Sequence, residues 1–215
     1  MCPSRHVVLS LCLCLLTASC RQQTALSDTE LALADRVEIS PVLALEMKTS
    51  GQNLRQLEGR DDTGERSAVD GLSIDVQMDE TYFLRERLQQ LAGPGLVVFV
   101  ATRGYGMGAD EIAVQQTENP CDTITVMGSH GGNYNIWPED IVATFIDLDK
   151  RFGLELTGAG PDWVQGDFKR QPTDMLAFAK EVYEFCPDVV QQGTDTVPGL
   201  ADAMAQTSRV FLWSD

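Results

Sequence analysis

Leu96-Val-Val-Phe-Val-Ala101 is an unbroken run of β-branched, aromatic and small apolar residues, bounded by Gly93-Pro94-Gly95 before it and Gly104-Tyr-Gly-Met-Gly108 after it. A strand with water on one face alternates polar and apolar side chains, and a run without alternation is buried on both faces. These residues are therefore read as the central strand of a sheet. Glu111 to Gln115, with Ile112 and Val114, reads as its returning partner, and the glycines between them as a flexible hairpin connection. This loop lacks the Lys and Ser/Thr of a P-loop and precedes a strand rather than a helix, which argues against a phosphate cradle.

Outward from that strand the pattern alternates between helix and sheet. On the N-terminal side, Asp79 to Ala92 carries Phe83, Leu84, Leu88 and Leu91 at helical spacing, with acids at its start. The stretch RQLEGRDDTGERSAVDGLSIDV reads as two extended pieces joined by turn chemistry at Asp62-Thr63-Gly64, without the ligand spacing of a calcium loop. Pro41 to Ser50 is a short helix. On the C-terminal side, Pro120 to Met127 is ambiguous between helix and strand, and Gly128 to Tyr134 is a loop. Pro138 opens a helix with Ile141, Phe145, Leu148 and Phe152 on one face, and Gly153 stops it. Leu154 to Thr157 and Trp163 to Phe168 form a hairpin, residues 174 to 186 an amphipathic helix with Cys186 beside its buried stripe, and Pro198 to Gln206 a shorter helix. Val210 to Trp213 is a closing strand within the sheet. This order predicts an α+β fold, a single domain with helices packed on a mixed, mainly antiparallel sheet.

The chain has 215 residues, 43% of them hydrophobic, enough for one well-buried core. Met1 to Ser19 joins Arg5, an apolar stretch from Val7 to Leu16, and the small residues Thr17-Ala18-Ser19, and reads as a secretory signal too short to persist as a membrane span. Small residues before Cys20 resemble a bacterial lipobox, with Thr17 where Leu is usual. An ordinary signal peptide cut nearby is the competing reading. Lipidation at Cys20 predicts a membrane partner through the N-terminal acyl chains. Arg21 after it favours the periplasmic face of the outer membrane where the bacterium has two membranes. The expected organisation is a signal over residues 1–19, a tether over 20–40 and one domain over 41–215. Loss of the leader leaves 15 basic against 32 acidic residues, a formal charge of −17, which repels nucleic acid.

The motifs GSHGGNYNIWPEDI, GLELTGAGPDWV, EFCPDVVQQGT and VFLWSD resemble the bacterial family catalogued as domain of unknown function 4253, over roughly Leu72 to Asp215. Counterparts of its pattern include Asn133, Tyr134, Asp162, Trp163, Phe185, Cys186, Pro187, Asp188, Gln192, Gly193, Trp213 and Asp215. His130 stands where the family usually has a different polar residue, and Ser214 replaces a second Trp. The resemblance informs the fold and implies no activity.

His130 is the one histidine outside the leader, which narrows the catalytic options. Ser129 adjoins it and is poorly placed as its nucleophile. A thiol hydrolase would use Cys186 as nucleophile, His130 as base and Asp188 as orienter. The alternative makes Cys186 a packed thiol and Asp188 a satisfier of backbone amides. No short ligand pair marks a metal site, and no cofactor is expected. Cys121 and Cys186 are either bridged or independent thiols. Asn133, Tyr134, Asp162, Trp163, Asp188, Gln192 and Trp213 are the candidate lining of a small pocket for an unknown small molecule or protein. The first expectation is a noncatalytic, lipid-anchored binding or interaction module of the cell envelope.

Overall fold

A computed structural model describes residues 25–61 and 63–214. The expected signal, Cys20, Asp62 and Asp215 lie outside the described residues. The chain enters through α1 (Asp28–Arg36), where Ser27 and Glu30 form a reciprocal capping box. Ala34 on this helix and Val37 and Ile39 after it are buried. The body thus begins inside the stretch expected to be a tether, because three apolar side chains there find core positions. Helix α2 (Pro41–Ser50) starts on the Ser40 cap with Pro at its first position and buries Leu43, Ala44 and Met47.

Strands β1 (Gln52–Arg60) and β2 (Arg66–Val76) pair as a hairpin. Asp61 Oδ1 accepts from the backbone amides of Thr63 and Glu65, each at 2.9 Å, which fixes the turn. Helix α3 (Thr81–Leu91) follows, then β3 (Leu96–Thr102), β4 (Asp110–Gln116) and α4 (Asp122–Val126), which resolves the ambiguous segment as helix. Next come α5 (Pro138–Phe152), β5 (Leu154–Gly160), β6 (Trp163–Phe168), α6 (Met175–Phe185), α7 (Val197–Thr207) and β7 (Arg209–Trp213).

The seven strands form one sheet in the order β1-β2-β4-β3-β5-β6-β7, antiparallel at every junction except the parallel β3–β5 pair. The α+β class and the mostly antiparallel mixed sheet therefore hold. Strand β3 is fourth of the seven and buried from Val97 to Ala101, as its unbroken apolar run requires. Val98 joins Leu72, Ile74, Ile112 and Val114 in the core under the first three helices, whereas Val97, Phe99 and Ala101 join Leu57, Ala113 and Met127 in a separate cluster. The largest cluster packs α5, α6 and α7 on Leu154, Leu156, Val164, Phe168, Val210 and Leu212. Strand β7 belongs to the sheet, at its edge rather than inside it.

Helix α3 departs from the expected stripe. Phe83 is 71% exposed and Leu91 is 49% exposed, while Thr81, Leu84, Arg85 and Leu88 face inward. Arg85 takes a core position because Glu155 on β5 meets it at 2.5 Å and compensates its charge.

Phe99 is fully buried on the central strand. Phe99→Ala is expected to cost about 3–5 kcal/mol, read as a lowered urea midpoint with an unchanged slope.

Candidate functional site

Along β6 and β7 the side chains alternate between two environments. Val164, Phe168, Val210 and Leu212 enter the core beneath α5 to α7. The intervening residues point the other way and meet across the ladder in the pairs Trp163 with Trp213, Gln165 with Phe211, and Asp167 with Arg209. Trp163 and Phe211 stack with ring centroids 5.7 Å apart. Gly158 and Gly160 of β5 make room for the indole: a methyl at Gly158 would lie 2.5 Å from Trp163 Cζ3, and one at Gly160 would overlap the indole nitrogen. The glycines of the GLELTGAGPDWV motif thus acquire a steric reason.

Arg103, one residue beyond the end of β3, lays its guanidinium against this aromatic surface, 5.0 Å from the Trp163 ring, 5.3 Å from Phe211 and 5.5 Å from Tyr82 of α3. Its Nη2 donates to the Tyr82 hydroxyl and to Gln165 Oε1. Gln165 is buried and donates in turn to Thr157 Oγ1 at 2.8 Å, so its carbonyl is the end that faces Arg103. Thr157 reaches Asp167 at 3.2 Å, and Asp167 takes both Nε and Nη2 of Arg209 at 2.6 and 3.0 Å. One polar chain therefore joins the two arginines, and only Arg209 ends on a carboxylate. Among the described residues Arg103 enters no ion pair.

Tyr82, Arg103, Gln165, Arg209 and Phe211 floor a cavity of about 750 Å³. A π-helical turn, Val189–Thr194, supplies Gln192 and Gly193 to its wall, and α7 supplies Leu200, Ala203 and Met204. Such wide turns are frequent at functional sites. The β3–β4 hairpin closes the other side with Tyr105 and Met107, which are 62% and 92% exposed. The buried Asp110 carboxylate pins that hairpin, accepting from Gly104 N and Thr81 Oγ1, each at 2.8 Å.

The residues singled out from sequence are distributed over three places. Gln192 and Trp213 line the large cavity, and Trp163 lies beneath Arg103. Tyr134 donates to the buried Asp188 at 2.9 Å, and that carboxylate holds the phenol above its ordinary range. Asn133 is exposed on a 3-10 turn, Gly132–Tyr134, outside the linings of both cavities. Asp162, Trp163 and Trp213 border a small cavity of about 20 Å³, room for roughly one water molecule, and His130 and Cys186 border it too.

Shared walls do not make a reactive pair. Cys186 is buried, its thiol donates to the Trp213 carbonyl at 3.0 Å, and burial pushes its pKa up to about 11. His130 is exposed, with Nδ1 3.0 Å from the Pro161 carbonyl; a carbonyl only accepts, so Nδ1 carries the proton. The place of an orienting carboxylate is thus filled by a backbone oxygen. Ser129 is buried and donates to Gly160 O at 2.7 Å. Cys121 and Cys186 are both free thiols. Among the described residues no group of three or more His, Cys, Asp or Glu is placed to hold a metal ion.

Tyr82, Arg103, Gln165, Arg209 and Phe211 were not singled out from sequence. They come from a helix, two strands and the residue just past a third strand, and converge only through the sheet order. Alternation in β6 and β7 was the available signal, since Gln165 and Arg209 fall on the face opposite the apolar positions.

Fold and groove together define an α+β domain with a ligand-sized cleft at one end of a mixed sheet. Residues 111–215 match the model of the family described as Domain of unknown function (DUF4253), the family that the motifs resemble. The match begins in β4, so it takes in Gln165, Arg209 and Phe211 and leaves Tyr82 and Arg103 outside. No curated protein and no solved structure matches the chain.

The raised Cys186 pKa has a signed consequence for stability. Below the ordinary thiol value of 9.0 both folded and unfolded chains are protonated, and the contribution is fully present; between there and about 11 the unfolded chain ionises first. Stability is therefore expected to fall by about 1.4 kcal/mol per pH unit across that window. Burial raises Cys121 as well, so Cys186→Ala should shrink this alkaline slope rather than abolish it, as measured by urea unfolding at stepped pH.

Proposed function

We propose that this chain is a lipid-anchored, noncatalytic binding module of the bacterial cell envelope, and that it takes an apolar small molecule into the groove at the β6–β7 end of the sheet. The observation that carries the reading is the cavity of about 750 Å³, walled by Leu200, Met204, Phe211 and Trp213 with a few convergent polar groups. Small-molecule sites have this composition and a volume of about 300–1,000 Å³. Met78, Tyr82, Tyr105 and Met107 remain exposed, and the Gly106 amide donates to Met78 Sδ at 3.1 Å, which places Met78 at the hairpin beside the mouth. A ligand entering there would cover apolar surface that otherwise faces water.

The anchor rests on the leader and Cys20, with Arg21 favouring the periplasmic face of an outer membrane. No helix among the described residues is long and apolar enough to cross a membrane. Acyl chains on Cys20 would hold the body at the bilayer, each buried CH₂ contributing about 0.8 kcal/mol. A thiol hydrolase using Cys186 with His130 is the second reading, favoured by the small cavity they share and opposed by the protonated, hydrogen-bonded sulfur.

Mass spectrometry of the mature protein is expected to find an acylated Cys20 at the N-terminus, and an unmodified start elsewhere would remove the anchor. For the groove, the neutral fluorophore N-phenyl-1-naphthylamine is expected to brighten on binding. Ala203→Trp, which fills the wall contributed by α7, should abolish that signal with the circular dichroism unchanged. Equal brightening in the two proteins would place the probe elsewhere and defeat the groove reading.

A further inference from the structure

We infer that the ligand of this groove is a small organic monoanion, a carboxylate on an acyl or aromatic body, and that Arg103 holds its head group. The inference rests on the groove being a binding site, as proposed above, and specifies the chemistry of what binds.

Its basis is charge accounting inside the cavity. The chain carries 32 acidic and 16 basic side chains, so a partly buried arginine has acids in excess to pair with. Arg209 behaves accordingly and engages Asp167 through two nitrogens. Arg103, on the same floor, meets only neutral groups among the described residues: the rings of Tyr82, Trp163 and Phe211, the Tyr82 hydroxyl and the Gln165 carbonyl. Its Nε is shielded from solvent and has no hydrogen-bond partner, and among the described residues Nη1 has none. The buried carboxylate of Asp110, at the base of the hairpin, is committed to Gly104 N and Thr81 Oγ1.

An uncompensated guanidinium fixed on three aromatic rings and oriented by a buried amide is preorganised for an anion, which would take Nη1 as its donor. Among the described residues Arg103 is the one arginine of the floor left without a carboxylate, and the chain as a whole is strongly acidic, so a single negative charge fits better than a phosphate dianion. The remaining wall, with Leu200, Met204, Phe211 and the hairpin residues Tyr105 and Met107, suits an apolar body.

The test uses a matched pair of probes, dansyl-undecanoate and its methyl ester, titrated into the purified full chain and followed by dansyl fluorescence. A charge-assisted hydrogen bond contributes about 1.5–3 kcal/mol, so the acid should bind roughly tenfold or more tightly than the ester. Added salt should narrow that preference. Arg103→Gln should erase the preference for the acid over the ester, whereas Arg103→Lys should retain part of it. Equal affinities of acid and ester in the unaltered protein would overturn the inference, and that measurement needs no variant. A preference that survives in Arg103→Gln would overturn the role of Arg103. Binding of the ester without preference for the acid would leave the groove reading standing alone, and binding of neither probe would overturn both.

Discussion

Burial of β3 on both faces is the constraint from which the rest follows. Val98 turns toward the first three helices, while Val97, Phe99 and Ala101 turn toward a separate cluster, so neither face can meet water. A strand in that position must also satisfy its backbone on both sides, and β4 and β5 do so, one antiparallel and one parallel. The parallel junction needs a long crossover, and the chain makes it through β4, α4 and α5. Once β5 is placed, β6 and β7 follow by antiparallel pairing, and the sheet grows away from the N-terminal helices.

That growth creates the groove. The first three helices pack near β2, β3 and β4, and α5 to α7 pack on the apolar side of β5 to β7. The opposite side of β6 and β7 receives the flank of α3, through Tyr82, and Arg103 from just beyond β3, and the space left over them is the groove. Trp163 lies flat there because Gly158 and Gly160 beneath it lack side chains, and its ring becomes the surface on which Arg103 rests.

Two polar chemistries occupy this end of the molecule with different consequences. Around Cys186 three polar groups are spent on the fold: the thiol on Trp213 O, the Tyr134 hydroxyl on Asp188, and the imidazole Nδ1 on Pro161 O. Around Arg103 the accounting is left open, with a positive charge that, among the described residues, is compensated by rings and dipoles alone. Spent groups rigidify a corner, and an open charge in a cleft is available to something that arrives.

Much of the architecture was written locally. The unbroken run from Leu96 to Ala101 specified a strand buried on both faces, Pro138 and Gly153 bounded α5, and turn residues marked the hairpins, because periodicity, capping and backbone freedom act over a few residues. The same locality explains the errors. Phe83 and Leu91 fit a helical stripe, yet the stripe that packs includes Arg85, whose charge is tolerable only because Glu155, seventy positions away, completes it. Val37 and Ile39 resembled a tether until a core accepted them. Trp163, Trp213 and Gln192 were visible as candidates since their residue types stand out, whereas Arg103 looked like an ordinary charge beside a glycine loop. By itself the sequence determined most of the helices and strands, though not α1 or α4, and which strand lies at the centre. Which side chains share a cleft was decided only by the tertiary structure, since strand order brings Tyr82, Arg103, Gln165 and Phe211 together across separations that no local pattern encodes.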